Sequence, residues 1–365
     1  MKERILFIMP LPPPIHGASI MNEIVASSKK IRSEFEVDIL ATNYVKATHE
    51  IGSFSLIKFV LLLKYLSALC YKLISNRPHL VYYTIVPYGW SFYRDILFVA
   101  IIKLFRIKLV YHLHGKGALA SYKKNKFLYD FAYNNVSVIC LAEKLKQDIP
   151  FFKGNTFIVP NGIEVINFEP MLKESLNDQI VRVLYLSNFI KSKGVLVLLE
   201  SAKILKKEQL KFKIQLIGQY RNEITKEFLE KYIHDNQLVD FVEIIGPTYG
   251  DDKVSYLKNA DIFVFPTYYK NEAFPLVNLE AMQFSLPIIS TDEGGISEMV
   301  ENKETGFLVN QKDSEDLADK ISQLILDNKL REKMGQKGRD RFLKNFTIEI
   351  FENNLMNVFK TILNQ

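Results

Sequence analysis

The stretch ADIFVFPTYYKNEAFPLVNLEAM, residues 260–282, constrains this chain more tightly than any other part of it. Ile262 to Phe265 is a short run of β-branched and aromatic residues with no polar alternation. Such a run predicts a strand covered on both faces, the condition of a parallel sheet. A polar and aromatic loop follows. Pro275 then suits the first position of a helix, where a missing N–H costs nothing. Strand, loop and helix in that order form the repeating unit of a doubly wound α/β fold.

The same reading extends over the whole chain. Apolar runs predict strands at 2–10, 36–42, 80–86, 108–114, 136–142 and 156–161, and again at 181–187, 212–218, 241–246, 261–266, 286–291 and 306–309. Helical segments separate them, among them a helix that follows the loop Ile15 to Ser19 and runs to about Lys30, the apolar run 54–74, and segments 194–207 and 223–237. The expectation is two Rossmann-like doubly wound domains, 1–163 and 181–346, facing across a cleft. The polar, aperiodic stretch 164–180 reads as their linker, and 347–365 as a last helix. A length of 365 residues fits two cores better than one.

Composition removes several classes. Apolar residues make up 48% and charged ones 24%, which excludes a disordered chain. The two cysteines, Cys70 and Cys140, sit inside apolar runs and belong to no disulfide or metal pattern, which points to a reducing compartment. The opening run ends at Pro10, too soon for a signal-peptide core, so a cytoplasmic protein is expected. A net charge of +6 suits anionic ligands or an anionic membrane face. No nucleic-acid-binding module accompanies it.

Two carboxylates bracket the turn after 262–265: Glu272 in the loop and Glu280 just over one turn into the helix. A carboxylate accepts two hydroxyl protons at once and so can hold a vicinal diol without reacting. Backbone N–H groups near Phe274, Leu276 and Val277 would face the loop, and a helix N-terminus attracts phosphate. Glu280 can then hold a ribose, Glu272 the hydroxyls of a sugar, and the helix start a diphosphate between them. The plainer alternative is a loop acid near a helix dipole and a surface glutamate.

Glu272 and Glu280 form a Glu-x7-Glu pair. Ala281-Met282, Leu286-Pro287-Ile288-Ile289-Ser290-Thr291, Gly294-Gly295 and Glu298 follow it. This run resembles the donor-site signature of the family-4 retaining glycosyltransferases of the GT-B fold. The resemblance implies a nucleotide-diphosphate sugar donor, a sugar-binding role for Glu272, and a last helix that crosses back onto the first domain. It implies that Lys193, in Asn188-Phe189-Ile190-Lys191-Ser192-Lys193-Gly194, neutralises the leaving diphosphate. At Asn188 the family often has an arginine, so one charge is missing there. Gly295 would belong to a second phosphate-facing turn. Gly17, in Ile15-His16-Gly17-Ala18-Ser19, would lie in a loop facing donor phosphate and acceptor.

His112 and His114 share one face of the predicted strand 108–114, with His114 at its carboxyl end beside Gly115. Sites of open α/β sheets lie at strand carboxyl ends. The family commonly has a histidine here, close to the transferred sugar, which assigns that place to His114. No Asp-x-Asp pair offers a metal site; Asp251-Asp252 reads as facing solvent. Lysine and helix N–H groups must then stabilise the leaving group, and no cofactor or metal is expected.

The run 54–74 carries Lys58, Lys64 and Lys72, too many charges for a good membrane span. With Tyr65 and Tyr71 it reads either as an interfacial helix or as a buried helix with snorkelling lysines. Tyr122 to Tyr129 mixes bases and aromatics in the same way. These patches favour peripheral contact at the inner face of the cell membrane and a lipid-linked saccharide acceptor in surface polysaccharide assembly. Two competing readings are a sugar-nucleotide epimerase or hydrolase on the same fold, and a non-catalytic GT-B partner protein.

Overall fold

The structure, a computed structural model, describes residues 2–44, 56–168 and 180–365. The chain divides into two compact units, Met1–Asn161 with Ile348–Gln365, and Gly162–Thr347. Residues 169–179, most of the expected linker, lie outside the described residues. So do the first two residues of the apolar run 54–74. The start of the linker stretch is tied down: Ile166 N donates to Gln283 Oε1 at 3.0 Å, and the Phe168 ring lies 4.9 Å from that of Phe284.

Unit 1 holds strands β1 (Arg4–Met9), β2 (Glu36–Ala41), β3 (Leu80–Tyr83), β4 (Lys108–Leu113), β5 (Ser137–Cys140) and β6 (Thr156–Ile158). They form one parallel sheet in the order β2-β1-β3-β4-β5-β6. Its helices are α1 (Gly17–Ser27), α2 (Lys29–Glu34), α3 (Leu56–Ser75), α4 (Gly89–Leu104), α5 (Ala118–Tyr122) and α6 (Lys126–Tyr133). Parallel strands need right-handed crossovers. The step from β1 to β2 runs one way and the steps from β2 through β5 run the other. That places α1 and α2 on one face and α3, α4 and α6 on the opposite face.

The first helix is shorter than its sequence pattern predicts. It ends at Ser27, and Ser28 caps a new helix by accepting from Ile31 N at 3.1 Å. A serine supplies a cap more readily than it continues a helix. On the same face lies the chain's last helix, Ile348–Leu363. Its Phe359 ring packs 6.0 Å from Phe7, 5.9 Å from Phe35 and 5.4 Å from Tyr82.

Unit 2 repeats the plan with β7 (Val181–Leu186), α7 (Val195–Lys207), β8 (Phe212–Ile217), α8 (Lys226–Asp235), β9 (Val242–Gly246), α9 (Gly250–Asn259), β10 (Ile262–Phe265), α10 (Leu276–Gln283), β11 (Ile288–Thr291), α11 (Ile296–Met299), β12 (Gly306–Val309), α12 (Ser314–Leu326) and α13 (Asn328–Asn345); the last helix, in unit 1, is then α14. Its parallel sheet has the order β12-β11-β10-β7-β8-β9. β10 is buried at every position, as its unbroken apolar run predicts.

Strand order fixes where ligands can sit. In unit 2 the chain steps outward from β7 to β9 and then returns to the other side of β7 as β10. The order reverses between β7 and β10, so their loops diverge and leave a crevice at the strand carboxyl ends. In unit 1 the reversal lies between β1 and β3.

Candidate functional site

The loop after β7 and the loop after β10 meet at the reversal of the second sheet. Gly194, at φ +88°, sits so close to the second loop that a Cβ there would lie 2.1 Å from Pro266 O. Only glycine permits both that backbone angle and that approach. Tyr268 N donates to Ser192 O at 2.8 Å and Thr267 Oγ1 to the same oxygen at 3.3 Å, joining the loops. The result is an ion pair across 79 residues of sequence: Lys193 Nζ lies 2.5 Å from Glu272 Oε2. Both side chains are largely buried, at 16% and 10% exposure. The ammonium also rests over the Tyr269 ring, 4.6 Å from its centroid.

Glu272 is held from a third side by the turn before α11. Gly294, at φ +58°, passes so near that a Cβ would lie 2.4 Å from Glu272 O. Gly295 N donates to Ala273 O at 2.7 Å. In the free protein that N–H is therefore committed to the loop carrying Glu272. Buried Glu293 steadies the same turn, accepting from Gly294 N at 3.2 Å and from Gln311 Nε2 at 2.9 Å.

Pro275 differs from its sequence expectation. It is the cap residue of α10, not its first helical residue, and has an extended ψ of 119°. The helix opens at Leu276, and the N–H groups of Leu276 and Val277 find no partner within it. Phe274 is buried and its ring lies 5.8 Å from Phe346. Glu280 falls in the middle of α10, and its Oε1 accepts from Lys253 Nζ of α9 at 2.9 Å. Its Oε2 is buried and has no hydrogen-bond partner among the described residues. One oxygen is paired with the ammonium and the other is left as an open hydrogen-bond acceptor.

Lys193, Glu272, Phe274, Pro275, Leu276, Glu280 and Gly295 thus belong to unit 2, on or beside the reversal. Asn188 is exposed in the loop after β7 and makes no side-chain hydrogen bond among the described residues. Lys253 went unnoticed in the sequence, because one lysine on a charged helix carries no signal until a partner is known. Tyr269, the seat of the Lys193 ammonium, is one of two adjacent tyrosines in the loop after β10, and nothing local in the sequence separates a pocket wall from a loop aromatic. Asp251 and Asp252 are exposed in the first turn of α9. No group of three metal-ligating side chains occurs among the described residues.

Unit 1 carries His114, Gly17 and His16. His114 follows the last residue of β4, and its ring lies 4.1 Å from that of His112. Tyr82 Oη and His112 Nδ1 are 2.5 Å apart, while Nε2 of both histidines is buried without a partner among the described residues. Burial, with a smaller contribution from His16, pushes the His114 imidazole down to about 3. Burial and then His114 hold His112 well below its ordinary value. Both rings are neutral near pH 7.

His16 caps α1: its Nδ1 accepts from Ser19 N at 3.2 Å while Ser19 Oγ accepts from His16 N at 3.0 Å. Acceptance at Nδ1 places the proton of the neutral ring on Nε2. Gly17 opens the same helix, and a Cβ there would meet nothing within 4 Å.

These histidines give a pH dependence with a definite sign. Unfolded, each binds a proton near pH 6.5; folded, neither does so until far lower pH. The unfolded state therefore binds more protons below 6.5, and stability, complete above that value, falls as the pH drops toward 3. The expected loss is on the order of 1 kcal/mol per pH unit for each histidine. Urea midpoints at pH 7 and pH 5 measure it, and His114→Asn should flatten the difference.

Residues 171–341 match the family described as glycosyl transferases group 1. The capsular polysaccharide biosynthesis glycosyltransferase CapM of Staphylococcus aureus is 31% identical over 246 residues, which cover 62% of this chain and 62% of CapM. The chain thus spans less than two thirds of the length of that relative. A glycosyltransferase from Rickettsia africae superposes with a TM-score of 0.77 at 20% identity, covering 99% of each chain. Anabaena Alr3699/HepE, solved in complex with UDP, does so with a TM-score of 0.76 at 18% identity, over 99% of this chain and 100% of that one. At those identities the likeness is one of fold, and the fold is of the GT-B type.

Proposed function

We propose that this chain is a retaining glycosyltransferase that moves a hexosyl group from a nucleoside-diphosphate sugar to a saccharide acceptor in surface polysaccharide assembly. The observation that carries the reading is the Lys193–Glu272 pair at the reversal of the second sheet, in the segment that matches the group 1 family. Donor binding would exchange partners. The diphosphate takes the Lys193 ammonium and the open N–H groups of α10, and Glu272 turns to the sugar hydroxyls. Glu280 Oε2 accepts from the ribose. Lysine and backbone dipoles then stabilise the leaving charge, so the reaction runs without a metal.

In this reading the anomeric carbon–oxygen bond to the diphosphate breaks as the acceptor oxygen bonds on the same face. The acceptor proton passes to the departing phosphate, and positioning supplies most of the rate. His114, neutral and following the last residue of β4, would serve the acceptor. CapM's role in capsular polysaccharide biosynthesis supports an acceptor of the saccharide class, and we read that acceptor as lipid-linked, met at the cytoplasmic face of the membrane.

The test is donor turnover in EDTA, with and without a membrane extract that supplies acceptor. A transferase consumes donor only with acceptor and gives a product of unchanged anomeric configuration. Turnover without acceptor would assign the chain to hydrolysis or epimerisation, and no turnover under either condition would favour a non-catalytic protein.

Lys253 enters as a positioning residue. Lys253→Met should raise the KM for donor about tenfold, the worth of one hydrogen bond to a charged group. It should also erase most of the preference for a ribonucleotide over its 2′-deoxy and 3′-deoxy analogues, while Lys253→Arg keeps both. A raised KM with the preference intact would make the lysine merely structural.

A further inference from the structure

The helices on the second face of the first sheet are apolar on the side that faces solvent. Of its twenty residues α3 buries only Leu69 and Leu73. Leu56, Ile57, Phe59, Val60 and Leu63 stand 49–79% exposed. That is not a helix sunk in a domain core. Trp90 on α4 is 81% exposed and Phe127 on α6 is 79% exposed. α4 packs against both α3 and α6, so the three form one layer. Crossover helices run against their strands, which puts their amino ends at the carboxyl edge of the sheet. Leu56 to Leu63, Trp90 and Phe127 all lie near those amino ends. That part of the patch lies at the edge where β4 ends and His114 follows, and exposed Tyr71, Ile74 and Leu104 carry the apolar face on toward the opposite edge. Water-soluble surfaces seldom leave apolar side chains grouped in this way.

Charge selects the occupant. α3 carries three lysines and no acid. Lys123, Lys124 and Lys126, at the turn into α6, are all exposed. The core of a protein–protein interface is depleted of lysine. Apolar side chains interleaved with lysines and aromatic rings suit the boundary between acyl chains and headgroups. No helix among the described residues is long and apolar enough to cross a membrane, so contact would be in the plane of the bilayer.

We propose that the α3–α4–α6 layer docks unit 1 on an anionic lipid bilayer, with Trp90 at the acyl boundary and Lys64, Lys123, Lys124 and Lys126 over the headgroups. Docking brings the β4 edge to a lipid-linked acceptor. Only that last step rests on the proposed function; lipid binding needs neither donor nor acceptor, so the two ideas fail separately.

Trp90 is the only tryptophan in the chain and serves as the reporter. The full chain is titrated with vesicles of phosphatidylcholine alone or with added phosphatidylglycerol, and tryptophan emission and cosedimentation are followed. Anionic vesicles should shift the emission to the blue and carry the protein down, whereas neutral ones should require far more lipid. Each lysine near an anionic leaflet strengthens binding about fivefold, so Lys123→Gln, Lys124→Gln and Lys126→Gln together should weaken it about a hundredfold. Ile57→Gln, Val60→Gln and Leu63→Gln, all at exposed positions, should abolish the blue shift without lowering the melting temperature. Unchanged Trp90 emission with anionic vesicles would overturn the proposal, as would full binding by the lysine variant. A blue shift that grows with protein concentration in the absence of lipid would assign the face to a second copy and overturn it too.

Discussion

Lys193→Met is expected to lower kcat for transfer by about 10²–10³, the loss that follows removal of one preorganised group at a developing negative charge. It should also cost on the order of 3 kcal/mol of stability, because Glu272, only 8% exposed, is left buried without its cation. The two effects separate in the double variant Lys193→Met with Glu272→Gln. Removing both charges relieves the unpaired carboxylate, so stability should largely return while transfer stays lost. Urea midpoints and kcat, measured on the single and double variants, decide the matter. If transfer returns along with stability, the lysine serves the fold alone.

Gly194→Ala comes next in size. The obstacle to its Cβ is the Pro266 carbonyl at 2.1 Å, main chain that cannot rotate away, and the backbone angle of +88° adds strain. The loop after β7 must withdraw from the loop after β10, breaking the Ser192–Tyr268 link and separating Lys193 from Glu272. About 3 kcal/mol of destabilisation or more is expected. Misplacement of the site by about 1 Å should cost at least a further 10² in rate. Calorimetry of the variant with donor kinetics tests this, and wild-type kinetics would show that the loop contact is dispensable.

The sequence carries the elements better than it carries their meeting points. Ile262 to Phe265 announces a buried strand because nothing in it is polar, and the Glu-x7-Glu spacing sets one carboxylate in a loop and the other on a helix. Those are local properties. That Lys193 reaches Glu272 depends on the order of strands β10-β7, which no local pattern encodes. Lys253 and Glu280 meet for the same reason, from two helices. Pro275 stands one position before its helix and not inside it, since proline tolerates the cap and the first turn alike. The lysines of the run 54–74 leave both a buried helix and an interfacial one open in the sequence, and the exposure of Leu56, Ile57, Phe59, Val60 and Leu63 removes the buried one. That Gly294 makes room for the carbonyl of Glu272 is likewise a meeting of distant loops, which the Gly-Gly pair alone does not announce.

The central claim is that Lys193, Glu272 and Glu280 form one donor site, and ligand-induced stabilisation tests it most directly. Wild type and Glu280→Ala are melted in EDTA with UDP, GDP, ADP and CMP and with their common sugar conjugates. A ligand at a hundred times its Kd stabilises the folded state by about 2.7 kcal/mol, enough to raise the melting temperature by about 5 °C. The account predicts a shift of that size for one nucleotide class in wild type and its loss in Glu280→Ala. No shift from any nucleotide, or an equal shift in the variant, would contradict it.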